Sequence, residues 1–249
     1  LFFMHLSPPI HGVTVCNDMI FNSSLIKSSI TSRFLPIRYS NTIEGMQSNG
    51  IRKIVIMIAL FFRLIYELIF HRPNIVYFTI SPLGTAFLRD IIFVVMVKVF
   101  RVKVIYHLHG KGIKLVSNKV IKYLYRFTFN NSNVVCISEL LAKDIEDVSA
   151  NANIIICPNG IALDNQDRSK IISRKHQIKD GGVINVLFLS NLSRVKGVDL
   201  YLNTVSEILR KTTNIKFHLA GPFSGVFTRK DYDMFLQEHP HVQGALSYH

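Results

Sequence analysis

The sequence predicts an α/β protein built on parallel sheets, in two domains of which the second is incomplete. Three observations carry this. Short β-prone apolar runs alternate with stretches of helical periodicity along the chain, and such alternation makes parallel sheets with right-handed crossovers. At 249 residues, 49% hydrophobic and 18% charged, the composition is globular and leaves room for two medium domains. A polar, Lys- and Asp-rich segment closing on Gly181-Gly182 separates them as a linker. The domains are drawn as 1–163 and 183–249, joined by 164–182. The portion after the linker holds only two or three strands, below the usual size of a complete α/β domain. The chain is therefore expected to be a fragment lacking the end of its second domain, and no initiating Met precedes Leu1.

The first strand is expected at Leu1–Leu6, followed by a loop through Pro8 to Gly12 and a short helix from Gly12. Phe34–Tyr39 reads as a second strand and Asn41–Gly50 as a polar loop. Ile51–Phe70 is a helix whose apolar run from Ile54 to Phe62 is unbroken. A membrane span needs about twenty mostly apolar residues, but Arg63 and Glu67 interrupt this one. Their spacing of four lets them pair on one helix face, so a buried or surface-lying helix is favoured over a span. Strand Ile75–Ile80, helix Leu83–Phe100, strand Val102–His107 and helix Lys119–Phe129 follow, then strand Val134–Ile137, helix Glu139–Ile145 and strand Ile154–Cys157. Arg89, Asp90 and Lys98 alone break the apolar pattern of the helix at Leu83–Phe100. Beyond the linker, Val186–Leu189 reads as a buried strand. From Gly197 a helix carries Leu200, Leu202, Val205, Ile208 and Leu209 at helical spacing. Strand Ile215–Leu219, helix Arg229–Glu238 and a last strand at His241–Ala245 complete the chain.

Cys16, Cys136 and Cys157 form no C-x-x-C pair, which argues against a disulfide framework or a zinc site. Each lies in an apolar neighbourhood and is expected to be a buried thiol in a reducing compartment. Three Asn-x-Ser matches, at Asn22, Asn130 and Asn191, have no secretory context and are read as chance. Charge is sharper. Between Lys27 and Arg126 there are sixteen Lys/Arg against Glu44, Glu67 and Asp90, an excess that equals the whole chain's +13. A basic half points to nucleic acid, an anionic membrane surface or phosphorylated ligands.

In open parallel sheets ligands bind beyond the carboxyl ends of the strands. Four polar loops follow strands directly: Pro8–Gly12, His107–Gly112, Pro158–Gly160 and Ser190–Gly197. They carry Gly12, His109, Asn159, Gly160, Asn191, Arg194, Lys196 and Gly197, residue types that admit a close backbone approach, exchange protons or bind phosphate. The last loop is the most informative. A strand feeding a helix leaves the N–H groups of the helix start aimed at one spot that favours anions. Lys196 adds a full charge beside it, and Gly197 lets a ligand approach the backbone. The plain alternatives are ordinary turns at Gly12, Asn159-Gly160 and Gly197, and a hydrogen-bonded loop histidine at His109.

Taken in order, Pro8–Thr14 (PPIHGVT), Tyr106–Ile113 (YHLHGKGI), Cys136–Ile145 (CISELLAKDI), Cys157–Ile161 (CPNGI), Val186–Leu202 and Ile215–Pro222 (IKFHLAGP) resemble the retaining nucleotide-sugar glycosyltransferases of family four. The resemblance implies a GT-B fold of two Rossmann-like domains, with the acceptor held mainly by the first and the nucleotide-sugar donor mainly by the second. Lys196 matches the lysine that binds the donor diphosphate, Gly12 the glycine of the N-terminal loop, and His109 the histidine near the reacting sugar. Asn191 stands where the family usually has an arginine, and Arg194 is expected to supply the lost charge. The family's paired glutamates are expected beyond His249, so this chain by itself is expected to be inactive. The donor is a substrate, and neither a cofactor nor a metal is implied.

The basic first domain suits docking at an anionic cytoplasmic membrane that presents a glycan or polyprenyl-linked acceptor, with Lys27, Arg38, Arg52, Lys53 and Arg63 as contacts. The expected role is surface polysaccharide synthesis by a cytoplasmic, peripheral enzyme. The competing readings are another GT-B enzyme, such as a sugar-nucleotide epimerase or a phosphorylase, and a basic nucleic-acid-binding protein. No RRM, KH or helix-turn-helix signature supports the last, so no nucleic-acid partner is expected.

Overall fold

The computed structural model describes residues 1–41, 50–160, 172 and 182–249. These form two compact units, Leu1–Ile161 and Ala162–His249. Most of the linker expected over 164–182 and most of the loop expected over Asn41–Gly50 lie outside the described residues.

The first unit is built on a six-stranded parallel sheet of order β2-β1-β3-β4-β5-β6. The strands are β1 (Phe2–His5), β2 (Phe34–Ile37), β3 (Ile75–Thr79), β4 (Lys103–Leu108), β5 (Asn133–Cys136) and β6 (Asn153–Ile156). Helices α1 (Gly12–Asn22) and α2 (Ser24–Ser29) follow β1, and α3 (Ile51–Tyr66) precedes β3 and runs on through a π turn at Glu67–His71. Helices α4 (Gly84–Val99), α5 (Lys119–Phe129) and α6 (Glu139–Ile145) make the remaining crossovers. Polar caps start several of them: Asn118 accepts from the N–H groups of Val120 and Ile121, and Ser138 from that of Leu141.

Side chains alternate across the sheet, and helices cover both faces. On one face Phe3 meets Phe78 at 4.9 Å and Phe93 of α4 at 5.0 Å between ring centroids. On the other, Phe2 stacks on Phe34 at 4.8 Å, and Phe21 of α1 meets Phe34 at 4.9 Å. Burial on both faces is why these strands read as nearly continuous apolar runs. The chain leaves β1 for β2 in one direction, then crosses back past β1 to β3. Helices on either side of this reversal diverge, which opens a crevice at the carboxyl ends of β1 and β3.

The expected pairing of Arg63 with Glu67 is not formed. Glu67 instead takes a two-bond contact from Arg33 (2.7 and 2.9 Å) and a third from His71 at 3.2 Å, because its side chain turns toward the sheet edge. Of the three cysteines only Cys136 is buried; Cys16 is half-buried and Cys157 exposed, since its loop lies past the edge strand β6.

The second unit carries β7 (Ile184–Leu189), β8 (Ile215–Ala220) and β9 (Leu246–Tyr248), parallel and in that order, with α7 (Val198–Leu209) and α8 (Arg229–Glu238). Val198, Leu202, Val205, Phe217 and Leu219 are buried at its centre. Three expectations fail here. Strand β7 is not buried: it is an edge strand, and Leu187 and Leu189 on its uncovered side are 57% and 74% exposed. Leu200 is exposed because α7 turns Val198, Leu202 and Val205 inward, and position 200 falls on the opposite side. The last strand is Leu246–Tyr248, not His241–Ala245, because Pro240–Val242 forms a 3₁₀ turn and Gly244 reverses the chain at φ +83°.

Candidate functional site

In the first unit the crevice is a cavity of about 320 Å³ whose walls come from the residues that follow β1, β2, β3 and β4. Its floor and apolar sides are Leu6, Pro8, Pro9, Ile37, Ile80 and Pro82. Polar chemistry comes from His5, His11, His109, Tyr39, Arg38, Lys53 and Arg89, and no carboxylate lines it among the described residues.

Arg89 is held rigidly. Its guanidinium bonds Asp90 Oδ1 at 3.0 and 2.8 Å and lies 4.1 Å from the centre of the Tyr39 ring. Asp90 is fully buried, and its other oxygen accepts from the Ser81 N–H at 2.8 Å. Burial pushes the Asp90 carboxyl above the usual carboxylate range, and Arg89 and the Ser81 amide work against that. The side-chain amide of Asn17 donates to the His5 carbonyl at 2.8 Å and its oxygen accepts from Thr79 Oγ1 at 3.2 Å, tying α1 to β1 and β3.

His109 stands at the end of β4 with its ring 4.0 Å from that of His107. Burial, reinforced by the charge of His11, lowers its pKa to about 4, so it is a neutral imidazole at pH 7. His107 hydrogen-bonds Tyr77 Oη through Nδ1. His109 Nε2 and Tyr39 Oη are buried and unpaired among the described residues. Both residues line the cavity, and polar atoms left open in a cavity wall are where a ligand or water bonds. The loop after His109 is fixed from below: Asp144 accepts from the N–H groups of Gly112 at 2.8 Å and Ile113 at 2.9 Å.

In the second unit Asn191, Arg194, Lys196 and Gly197 share one loop at the carboxyl end of β7. Leu192 pins it: buried, it donates to the Pro222 carbonyl at 2.8 Å and accepts from the Ser224 N–H at 3.0 Å. Gly221 makes this approach possible. A Cβ there would lie 2.1 Å from the Ser190 carbonyl oxygen, at a φ of +131° that L side chains rarely adopt. Gly221→Ala is expected to destabilise the second unit by about 2–3 kcal/mol, read as a lower midpoint in thermal unfolding; an unchanged midpoint would refute the close approach. Gly197, at φ +84°, makes the turn into α7.

The helix start is less open than the sequence implies. The amides of Lys196, Gly197 and Val198 donate back to Ser193 and Arg194. Only those of Asp199 and Leu200 in that first turn lack a backbone acceptor among the described residues. Arg194 is turned to Asp199 at 3.5 Å and Asp231 at 3.9 Å, so its charge is matched within the unit and not lent to Asn191. Lys196 is exposed and has no ion pair among the described residues.

The expected site residues thus divide. His109, Arg38 and Lys53 share the cavity of the first unit. Gly12 is exposed at the first turn of α1, where its neighbours His11 and Val13 reach the cavity and open space surrounds its own missing Cβ. Asn159 and Gly160 are exposed past edge strand β6 and form no part of the cavity wall. Lys27 lies on α2, 5.1 Å over the Phe21 ring, whereas Arg52 and Arg63 are exposed on α3, across the sheet. The five basic contacts therefore do not form one surface.

Sequence reasoning missed Tyr39, His5 and Asp144, and gave Arg89 and Asp90 no role. The one signal was the charged pair inside the apolar run Leu83–Phe100. Asp231-Tyr232-Asp233 has the spacing of a metal-binding acidic pair, but Asp231 caps α8 through Thr228, and Asp233 pairs with Arg229 at 3.0 Å. No metal-ligand cluster is found among the described residues.

No family model matches the sequence, and no curated protein matches it. Solved structures do. Anabaena Alr3699/HepE in complex with UDP and glucose aligns over 99% of this chain and 68% of its own at TM-score 0.54 and 15% identity. The E. coli trehalose-6-phosphate structure bound with UDP-2-fluoro glucose aligns over 99% and 72% at TM-score 0.57 and 11% identity. Against the HepE complex with UDP the chain spans about half of that protein, 51%, at TM-score 0.48. At these identities the likeness is one of fold, and the fold of this chain is the α/β, parallel-sheet architecture of the GT-B class.

Proposed function

We propose that the chain belongs to a retaining glycosyltransferase of family-four type, which moves a sugar from a nucleoside-diphosphate donor to a glycan or polyprenyl-linked acceptor in surface polysaccharide synthesis. The observation that carries it is the shared fold of two structures that hold UDP with glucose and UDP-2-fluoro glucose, combined with Lys196 at a β-to-α turn. In this reading Lys196 and the Asp199 and Leu200 amides meet the charge that grows on the diphosphate as the sugar leaves. His109, neutral at pH 7, offers Nε2 to a sugar hydroxyl. It fits a positioning role better than that of a standing cation. Arg38 and Lys53 line the cavity beside Arg89, whose charge Asp90 matches, and suit an acceptor that carries phosphate.

Calorimetric titration of UDP into the protein tests the donor half. The expected result is saturable binding that Lys196→Met weakens by about 10–100-fold, since a charge-assisted contact contributes about 1.5–3 kcal/mol. Equal affinity in the variant, or no binding at millimolar UDP, would overturn the reading.

A further inference from the structure

Helix α3 is apolar on two opposite sides. Leu60, Leu64 and Leu68 pack onto the first unit's core. On the opposite side Ile51, Val55, Ile58, Phe62, Tyr66 and Ile69 are all exposed, spaced three or four apart so that they form one stripe. Phe62 is 63% exposed, and Ile51 is 81% exposed. The neighbouring helix α4 adds a parallel stripe: Leu88, Ile92, Val95 and Val99. A water-soluble surface rarely leaves so much contiguous apolar area open.

Among the described residues the exposed charges flanking the α3 stripe have one sign. Arg52 and Arg63, eleven residues apart and hence on the same side of the helix, flank the α3 stripe and are exposed. The acids of these helices are spent elsewhere: Glu67 on Arg33 and His71, Asp90 on Arg89 in the core. Apolar side chains with an aromatic share, rimmed by arginines and, among the described residues, free of exposed carboxylates, complement a surface that is apolar within and anionic at its boundary.

We infer that the α3–α4 face is a docking surface for an anionic lipid bilayer, with Val55, Ile58, Phe62 and Tyr66 entering the headgroup boundary and Arg52 and Arg63 contacting lipid phosphates. Ile51–His71 is long and apolar enough to cross a membrane by length and composition, but Leu60, Leu64 and Leu68 are engaged with the sheet, so the helix lies along the bilayer. The inference stands on exposed side chains and is independent of sugar transfer. It places the contact on one helix pair and leaves Lys27, on the far side of the sheet, out of it.

The chain contains no Trp, so Phe62→Trp makes a single reporter on the stripe. With vesicles of equal phosphatidylglycerol and phosphatidylcholine, its emission is expected to shift to the blue and to be quenched by brominated acyl chains, with little change on pure phosphatidylcholine. In sedimentation with the same vesicles, Val55→Glu/Phe62→Glu is expected to lose at least tenfold in binding, and Arg52→Glu/Arg63→Glu about as much. Leu25→Glu, an exposed apolar position on α2, is expected to bind as the parent does. No emission shift, or equal sedimentation of the stripe variants, would overturn the proposal. So would concentration-dependent dimerisation that the stripe variants abolish while vesicles stay unbound, which would assign the face to a second copy. UDP titration of the same variants is expected to be unchanged, so failure here and failure of the donor reading are separable.

Discussion

Acidifying the protein from pH 7 to pH 5 is expected to cost the first unit about 3 kcal/mol of stability, a fall of roughly 6–12 °C in its unfolding midpoint. The cause is three histidines, His5 and His109 in the cavity wall and His107 packed beside His109. Burial lowers His5 to about 3 and His107 and His109 to about 4, against about 6.5 in an unfolded chain. Between those values the unfolded state binds more protons, so stability is intact above about pH 6.5 and is lost as pH falls toward 4. At pH 5 each fully buried group loses up to about 2 kcal/mol, and the partial opening of His5 and His109 to the cavity reduces the sum. Asp90, pushed up by burial, pulls the other way, one group against three. Unfolding followed by circular dichroism at pH 7 and pH 5 measures the difference, and His109→Gln is expected to remove about a third of it. A midpoint that does not move over this range would mean that these imidazoles are hydrated, and the closed wall of the cavity would be wrong.

Asp90→Ala is expected to destabilise the first unit by about 3–5 kcal/mol, the range for removing one partner of a buried ion pair. Two losses combine. The Ser81 N–H loses its acceptor, and the Arg89 guanidinium keeps its charge in a largely buried position without the carboxylate that holds it. The second loss reaches the cavity, since Arg89 freed from Asp90 no longer stays on the Tyr39 ring. Asp90→Asn, which retains an acceptor for Ser81 but not the charge, is expected to cost less. Chemical denaturation of the three proteins at pH 7 gives the ranking. Asp90→Ala as stable as the parent would show that the pair is a surface contact.

The strand–helix order was legible because a parallel sheet buried on both faces leaves a continuous apolar signal, and each intervening helix has its own period. Helices Lys119–Phe129, Glu139–Ile145 and Arg229–Glu238 fall at the positions that the sequence alone indicates. Misreadings occurred where burial depends on a neighbour that no local pattern records: β7 at a sheet edge, Leu200 on the outer side of α7, and the strand at Leu246–Tyr248 displaced by the turn at Pro240. The candidate site was legible only as loops. His109, Lys196 and Gly197 stood out because glycine, histidine and lysine directly after apolar strands are unusual where only a turn is needed.

The sequence by itself determined the class of fold, the concentration of positive charge in the first half, and which candidate loops follow strands, since all three depend on residue type and near neighbours along the chain. Tertiary structure alone decided which charges meet. Glu67 is claimed by Arg33 and not Arg63, Arg194 is spent on Asp199 and Asp231, and Arg89 is fixed by Asp90 on Tyr39 at the mouth of the cavity. An ion pair depends on distance in space, which falls off within a few ångströms, whereas the sequence records only separation along the chain.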